Sequence, residues 1–144
     1  MRIAFFEIQG WERPLLEEAF KDHELFFSEK PLQASDLPTI KDFEALSVFI
    51  YSRVGKEVID MMPNLKLIAT RSTGYADIDV AVARAKNVLV SNVPTYGEHT
   101  VAEHTFALIL ALSRNVHKSH VRRLKSDFSI EGLKGFDLKD KTIG

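Results

Sequence analysis

The chain has 144 residues, 45% of them hydrophobic, enough apolar material for one core with an appendage and hardly for two complete domains. Its 19 basic and 20 acidic residues nearly cancel, so the whole chain has no general attraction for nucleic acid or an anionic membrane surface. The absence of cysteine excludes disulfides and thiolate metal sites and fits a reducing compartment, with the cytoplasm as the expected location.

The first residues, MRIAFFEIQGWERP, include a short apolar run without a small-residue cleavage site. No stretch reaches the roughly 18 apolar residues that span a bilayer, so a soluble protein with no membrane partner is expected. Runs rich in β-branched and aromatic residues follow at Arg2–Phe6, Glu24–Ser28, Leu46–Tyr51, Lys66–Thr70 and Asn87–Ser91. Several are nearly continuous apolar stretches, the pattern of parallel strands covered on both faces. Helical patterns lie between them at Trp11–Lys21, where Leu15, Leu16, Ala19 and Phe20 share a side, at Gly55–Met62 before Pro63, and at Ile78–Ala85. Gln33–Asp42 fits either a short helix or a long loop. Right-handed crossovers between such elements predict an α/β fold with a flavodoxin-like, parallel five-stranded sheet in the order 2-1-3-4-5.

After Pro94 the pattern changes. From Glu98 to Asp127 there is no Gly or Pro, which predicts one long crossing helix of about 40 Å at about 1.5 Å per residue. Its first half, VAEHTFALILAL, is apolar nearly all round and needs cover from a further domain, a second copy, or both. Its second half carries Arg114, Lys118, Arg122, Arg123 and Lys125. Cations near a helix C-terminus are favoured by the helix dipole, and without an aromatic platform or binding motif no nucleic-acid partner is expected. The predicted organisation is an α/β domain at 1–97, the helix at 98–127, and a linker at 128–144. That linker ends in KTIG, which reads as the opening of a buried strand.

Two stretches carry candidate chemistry. ATRSTGYADID, residues 69–79, sits at the carboxyl end of the fourth strand, where ligands gather in open α/β sheets. A turn at Gly74, flanked by Ser72 and Thr73, offers successive N–H donors to a carboxylate or phosphate. The alternative is an ordinary strand-to-helix turn with Asp77 or Asp79 as the N-cap. NVPTYGEHTVAEH, residues 92–104, brackets Tyr96 between Pro94 and Gly97 at the same sheet edge. Its hydroxyl can donate and accept; the alternative is an aromatic packed at a hinge. No metal site is expected: His99 and His104 are five residues apart, and His117 and His120 lack two further ligands.

Taken together, RSTGYADID, NVPTY and TVAEHTFALILALSR resemble the front part of D-isomer-specific 2-hydroxyacid dehydrogenases. HVRRLKSDFSIEGLKGFDLKDKTIG resembles the D-lactate dehydrogenase branch in particular. The resemblance is collinear over nearly the whole chain. It implies a substrate-binding domain whose Thr73 and Gly74 N–H groups take the carboxylate of a 2-oxo or 2-hydroxy acid, with Tyr96, and Ser52 after the third strand, beside it. It places Thr100 and Val101 near the nicotinamide end of NAD, although Thr100 stands where that branch has a small apolar residue and His99 where an acid is frequent.

In the family a His donates the proton, an Arg clamps the carboxylate and an acid tunes the His. The resemblance places all three, with the G-x-G-x-x-G turn for the dinucleotide, beyond Gly144, so no catalytic residue is assigned here. On that reading the chain alone is inactive, KTIG lacks its sheet, and the last dozen residues are without regular pairing. A homodimer through the 98–127 helix is expected. The second reading is a noncatalytic, dimerising flavodoxin-like module. A phosphoacceptor receiver is excluded, because it needs an Asp ending strand three and an acidic cluster after strand one, where this chain has Tyr51-Ser52 and a single Glu7.

Overall fold

The computed structural model describes residues 1–144 as two compact units, Met1–Tyr96 and Gly97–Gly144. In the first, β1 (Arg2–Phe5), β2 (Glu24–Phe27), β3 (Ala45–Val48), β4 (Leu67–Thr70) and β5 (Leu89–Ser91) form one sheet. All pairs are parallel and the order is β2-β1-β3-β4-β5, as the alternating pattern predicts. The connections carry α1 (Glu12–Ala19), a 3₁₀ turn (Ala34–Asp36) running into α2 (Leu37–Ile40), α3 (Lys56–Met61) and α4 (Val80–Ala85).

Register and the two-residue period of a strand decide which residues meet. Leu25, Ile3, Ala45, Leu67 and Leu89 form one row across the sheet. The inner members of this row pack with Phe5, Phe27 and, from α1 and its C-cap, Leu16 and Phe20. The adjacent row, Phe26, Ala4, Leu46, Ile68 and Val90, joins Ile40, Ile59, Met62 and Ala83 in the larger cluster. One face is therefore covered by α1 and the other by α2, α3 and α4, as right-handed crossovers require when β1 to β2 runs opposite to the later connections.

The element boundaries shift for local reasons. β3 stops at Val48, short of the expected Tyr51, because the next residues turn into a loop held by side chains. α4 starts at Val80, where Asp79 Oδ1 accepts the Val82 N–H at 3.0 Å as an N-cap. At the amino edge, Glu44 accepts from Arg2 N–H at 3.2 Å and Lys66 Nζ at 2.6 Å, and Arg2 pairs with Glu24 at 2.8 Å. Asp60 pairs with Lys56 within α3 and with Lys86 at the end of α4, joining the two helices.

In the second unit the expected continuous helix is broken. α5 (Glu98–Ser113) and α6 (Val116–Leu124) are separated by Asn115, whose φ of 54° is left-handed. Asn tolerates that conformation better than most residues, so the lack of Gly and Pro did not guarantee continuity. The following segment returns to the corner: Asn115 Nδ2 donates to Leu133 O at 3.4 Å and Lys134 O at 3.2 Å, and Phe136 N–H to Ser113 O at 3.0 Å. Gly135 is required there, since a Cβ would lie 2.0 Å from Ser113 O. Lys141–Gly144 are in no strand. No helix is long and apolar enough to cross a membrane.

Two outcomes follow from these contacts. Gly135→Ala should release the 128–144 segment from the α5–α6 corner, read as accelerated amide exchange at Phe136 while the sheet amides keep their protection. Hydrogen bonds hold three carboxyl groups below their usual range: from Arg2 for Glu24, from Lys66 and then Arg2 N–H for Glu44, and from Lys56 and then Lys86 for Asp60. A carboxyl depressed in the folded state stabilises it fully above the unfolded value, about 4, and less as pH falls through the folded value. The urea midpoint should therefore drop on acidification below about pH 4.5. Glu44→Gln should start from a lower midpoint at neutral pH and lose less on acidification.

Candidate functional site

Because every strand is parallel, the loops after β1, β3, β4 and β5 emerge at one carboxyl edge. The first is organised by Glu7, which is buried and has a left-handed φ of 57°. Its Oε1 accepts from Tyr51 N–H at 2.8 Å; its Oε2 accepts from Phe49 N–H at 3.1 Å, Ser52 N–H at 3.0 Å and the Ser52 hydroxyl. The Ser52 oxygen in turn accepts Leu32 N–H at 3.0 Å. The Ser52 hydroxyl is thus buried and hydrogen-bonded within the scaffold in both directions, donating to Glu7 and accepting from Leu32 N–H.

The loop after β3 is also clasped to the loop after β4. Val54 and Ile78 form an isolated parallel bridge, with Val54 N–H to Asp77 O at 2.8 Å and Asp79 N–H to Val54 O at 2.9 Å. Arg71, the residue after β4, reaches across the sheet. Its Nη2 donates to Phe6 O and Glu7 O, both at 2.9 Å, its Nη1 to Ser47 Oγ at 3.0 Å, and its Nε lies 3.7 Å from Glu12. Burial lowers its pKa from the usual guanidinium value, opposed by the charges of Glu12 and Glu7. Sequence reasoning assigned nothing to Arg71 and saw Glu7 only as one isolated acid, because a lone charge in a strand-end segment has no periodic or motif signal.

The turn itself is tied on both sides. Thr70 and Ser72 hydroxyls lie 2.6 Å apart, and Ser72 Oγ donates to Gly74 O at 2.7 Å. From beyond β5, Val93 N–H donates to Ser72 O at 3.0 Å and Asn92 Nδ2 to Thr73 O at 2.8 Å, while Thr73 Oγ1 donates back to Val93 O at 3.0 Å. The RSTG and NVP stretches are thus brought together, as one shared sheet edge predicts. Thr73 and Gly74 are exposed, and neither N–H has an acceptor within the protein. A Cβ at Gly74 would meet nothing within 4 Å, so there is open space beside it. A cavity of about 150 Å³ lies against the turn, lined by Phe49, Ile50, Ser52, Thr70, Ser72 and Tyr75 among others. The capping alternative is also realised, since Asp79 caps α4, while Asp77 pairs with Arg53 at 3.4 Å.

Tyr96, the last residue of the first unit, is 62% exposed. Thr100 and Val101 lie at the start of α5 in the second unit, both exposed.

Residues 3–132 match the family model described as D-isomer specific 2-hydroxyacid dehydrogenase, catalytic domain. The chain belongs to this family. A 2-hydroxyacid dehydrogenase homolog of Zymomonas mobilis is 32% identical over 148 residues, covering 100% of this chain and 45% of that protein. The D-lactate dehydrogenase of Escherichia coli is 28% identical over 148 residues, with the same coverage of 100% and 45%. The D-lactate dehydrogenase of Aquifex aeolicus, whose crystal structure holds NAD and lactic acid, superposes with a TM-score of 0.90 at 34% identity, covering 94% of this chain and 41% of that one. The chain thus spans less than half the length of these relatives.

The glycine turn that cradles a dinucleotide's pyrophosphate is not among these residues. The first unit's glycines, Gly10, Gly55 and Gly74, stand singly in separate loops, and no strand leads into a G-x-G-x-x-G turn.

The Glu7–Ser52 pair has a measurable consequence. Glu7→Gln and Ser52→Ala should each cost about 1–3 kcal/mol of stability, because each leaves a buried donor without its acceptor. The double variant should lose less than the sum, since both remove one shared hydrogen bond; urea unfolding of the four proteins checks this.

Proposed function

We propose that this chain is the substrate-binding part of an NAD-dependent D-2-hydroxyacid dehydrogenase, of D-lactate dehydrogenase type, acting in the cytoplasm on a small 2-oxo acid such as pyruvate. One observation carries the reading: two consecutive exposed N–H groups, Thr73 and Gly74, lie without acceptors in a turn whose carbonyl oxygens are tied down. Backbone donors of this kind suit an anion with two oxygens, and a charged acceptor makes such bonds about twice as strong as neutral ones. Membership of the family, and likeness to a lactate-bound relative, favour a carboxylate as that anion.

In this reading the acid's carboxylate sits on the Thr73 and Gly74 N–H groups, and Tyr96 lies beside it. Ser52 acts indirectly by holding residues 49–52 to Glu7. Thr100 and Val101 approach the nicotinamide end of NAD, which supplies the hydride when bound. The chain's own residues bind and orient the acid; with no glycine cradle among them, the 144-residue chain binds the acid and does not reduce it.

A second reading rests on α5, where Phe106, Leu108, Leu110 and Leu112 are exposed. Fully burying each contributes about 1.5–3 kcal/mol, which favours a homodimer through the 98–127 segment. A noncatalytic association module needs this dimer and no acid site.

The test is a pyruvate titration of the ¹⁵N-labelled chain, with sedimentation and an NADH oxidation assay in parallel. Saturable shifts at Thr73 and Gly74 without NADH turnover are expected. A stable dimer indifferent to pyruvate favours the association module, and NADH oxidation by this chain overturns the division of chemistry.

A further inference from the structure

A peptide unit is planar and trans, so its N–H points opposite to its C=O, and this chain has no cis peptide bond. The Thr73 N–H therefore shares a plane with Ser72 C=O, the Gly74 N–H with Thr73 C=O, and the Tyr75 N–H with Gly74 C=O. All three oxygens accept a hydrogen bond, from Val93 N–H, Asn92 Nδ2 and Ser72 Oγ respectively, at 3.0, 2.8 and 2.7 Å. None of the three N–H groups has an acceptor in the protein. Holding each oxygen sets the direction of the hydrogen on the same plane.

The three tethers differ in origin. Val93 gives a backbone bond that any residue except proline can make, and Ser72 lies within the turn. Asn92 is a side chain from another element, the first residue past β5, and it is half-buried. A carbonyl oxygen only accepts, so the group facing Thr73 O is the amide NH₂. An aspartate in its place would face that oxygen with an acceptor and put negative charge beside an incoming anion.

We propose that Asn92 is a positioning residue for the carboxylate turn. It fixes the plane of the Thr73–Gly74 peptide and, by polarising Thr73 C=O, strengthens the Gly74 N–H as a donor. This deepens the reading of the turn as the carboxylate site and rests on it, whereas the ligand-free measurement below does not.

The experiment compares ¹⁵N-labelled 144-residue chains: wild type, Asn92→Asp and Asn92→Leu, with melting temperature as the check on folding. Without ligand, the Gly74 amide proton should move upfield in both variants, while the Thr73 amide, held through Val93 N–H, keeps its position. With pyruvate, the dissociation constant should rise about tenfold in both, the scale of one hydrogen bond to a charged group. A merely structural role for Asn92 moves the Thr73 and Gly74 amides together. The proposal is overturned by that result, by an unmoved Gly74 amide, or by wild-type pyruvate affinity in either variant. If the wild type itself shows no response to pyruvate, the carboxylate reading fails, and the Gly74 shift still decides whether Asn92 is the tether.

Discussion

One buried carboxyl group holds the working edge of the first unit together. Glu7 leaves β1 in a left-handed conformation, turns its side chain inward, and takes three backbone N–H groups and one hydroxyl from the loop after β3. Of those donors, the Ser52 N–H and hydroxyl are buried and would otherwise lack partners, each at a cost of about 1–3 kcal/mol. The same residue's carbonyl, with that of Phe6, accepts from Arg71, which stands directly before the Ser72–Gly74 turn. One residue at the end of the first strand therefore couples three loops: through its side chain to residues 49–52, and through its backbone to the loop after β4.

That coupling keeps an exposed turn in one conformation. A turn that wandered would spend binding energy on ordering itself, since fixing one residue's backbone costs roughly 1–2 kcal/mol. Here Arg71 anchors the entry, Ser72 closes the turn on Gly74 O, and Asn92 with Val93 fastens it from the neighbouring strand. The Val54–Ile78 bridge holds the far end. What remains free is a short row of amide hydrogens beside a small cavity, at the sheet edge where parallel α/β proteins collect ligands.

The second unit follows different physics. α5 presents apolar side chains nearly all round, and its partner helix α6 carries Arg122 and Arg123 in its last turn. The break between them is set by tertiary contact: the 133–136 segment returns to bond with Ser113 and Asn115, and Gly135 permits an approach no other residue allows. The Arg122 guanidinium is occupied with the carbonyls of Ser129 and Glu131, which gives part of the basic cluster a local structural use.

The five strands and their parallel order were legible in the sequence. Nearly continuous apolar runs such as Leu46–Tyr51 and the strand–helix alternation have few other solutions under right-handed crossover. A turn at Ser72–Gly74 was legible too, because a short Ser-Thr-Gly stretch at a strand end is a local feature. Folding in three dimensions was needed to reveal that Ser52 bonds to Glu7, that Arg71 reaches the end of β1, that Asn92 bonds to Thr73, and that the long helix breaks at Asn115. Each of these joins residues that are distant in the chain or depends on a segment folding back. Such contacts have no period and no motif, and they exist only once the sheet has brought the loop ends within hydrogen-bonding distance.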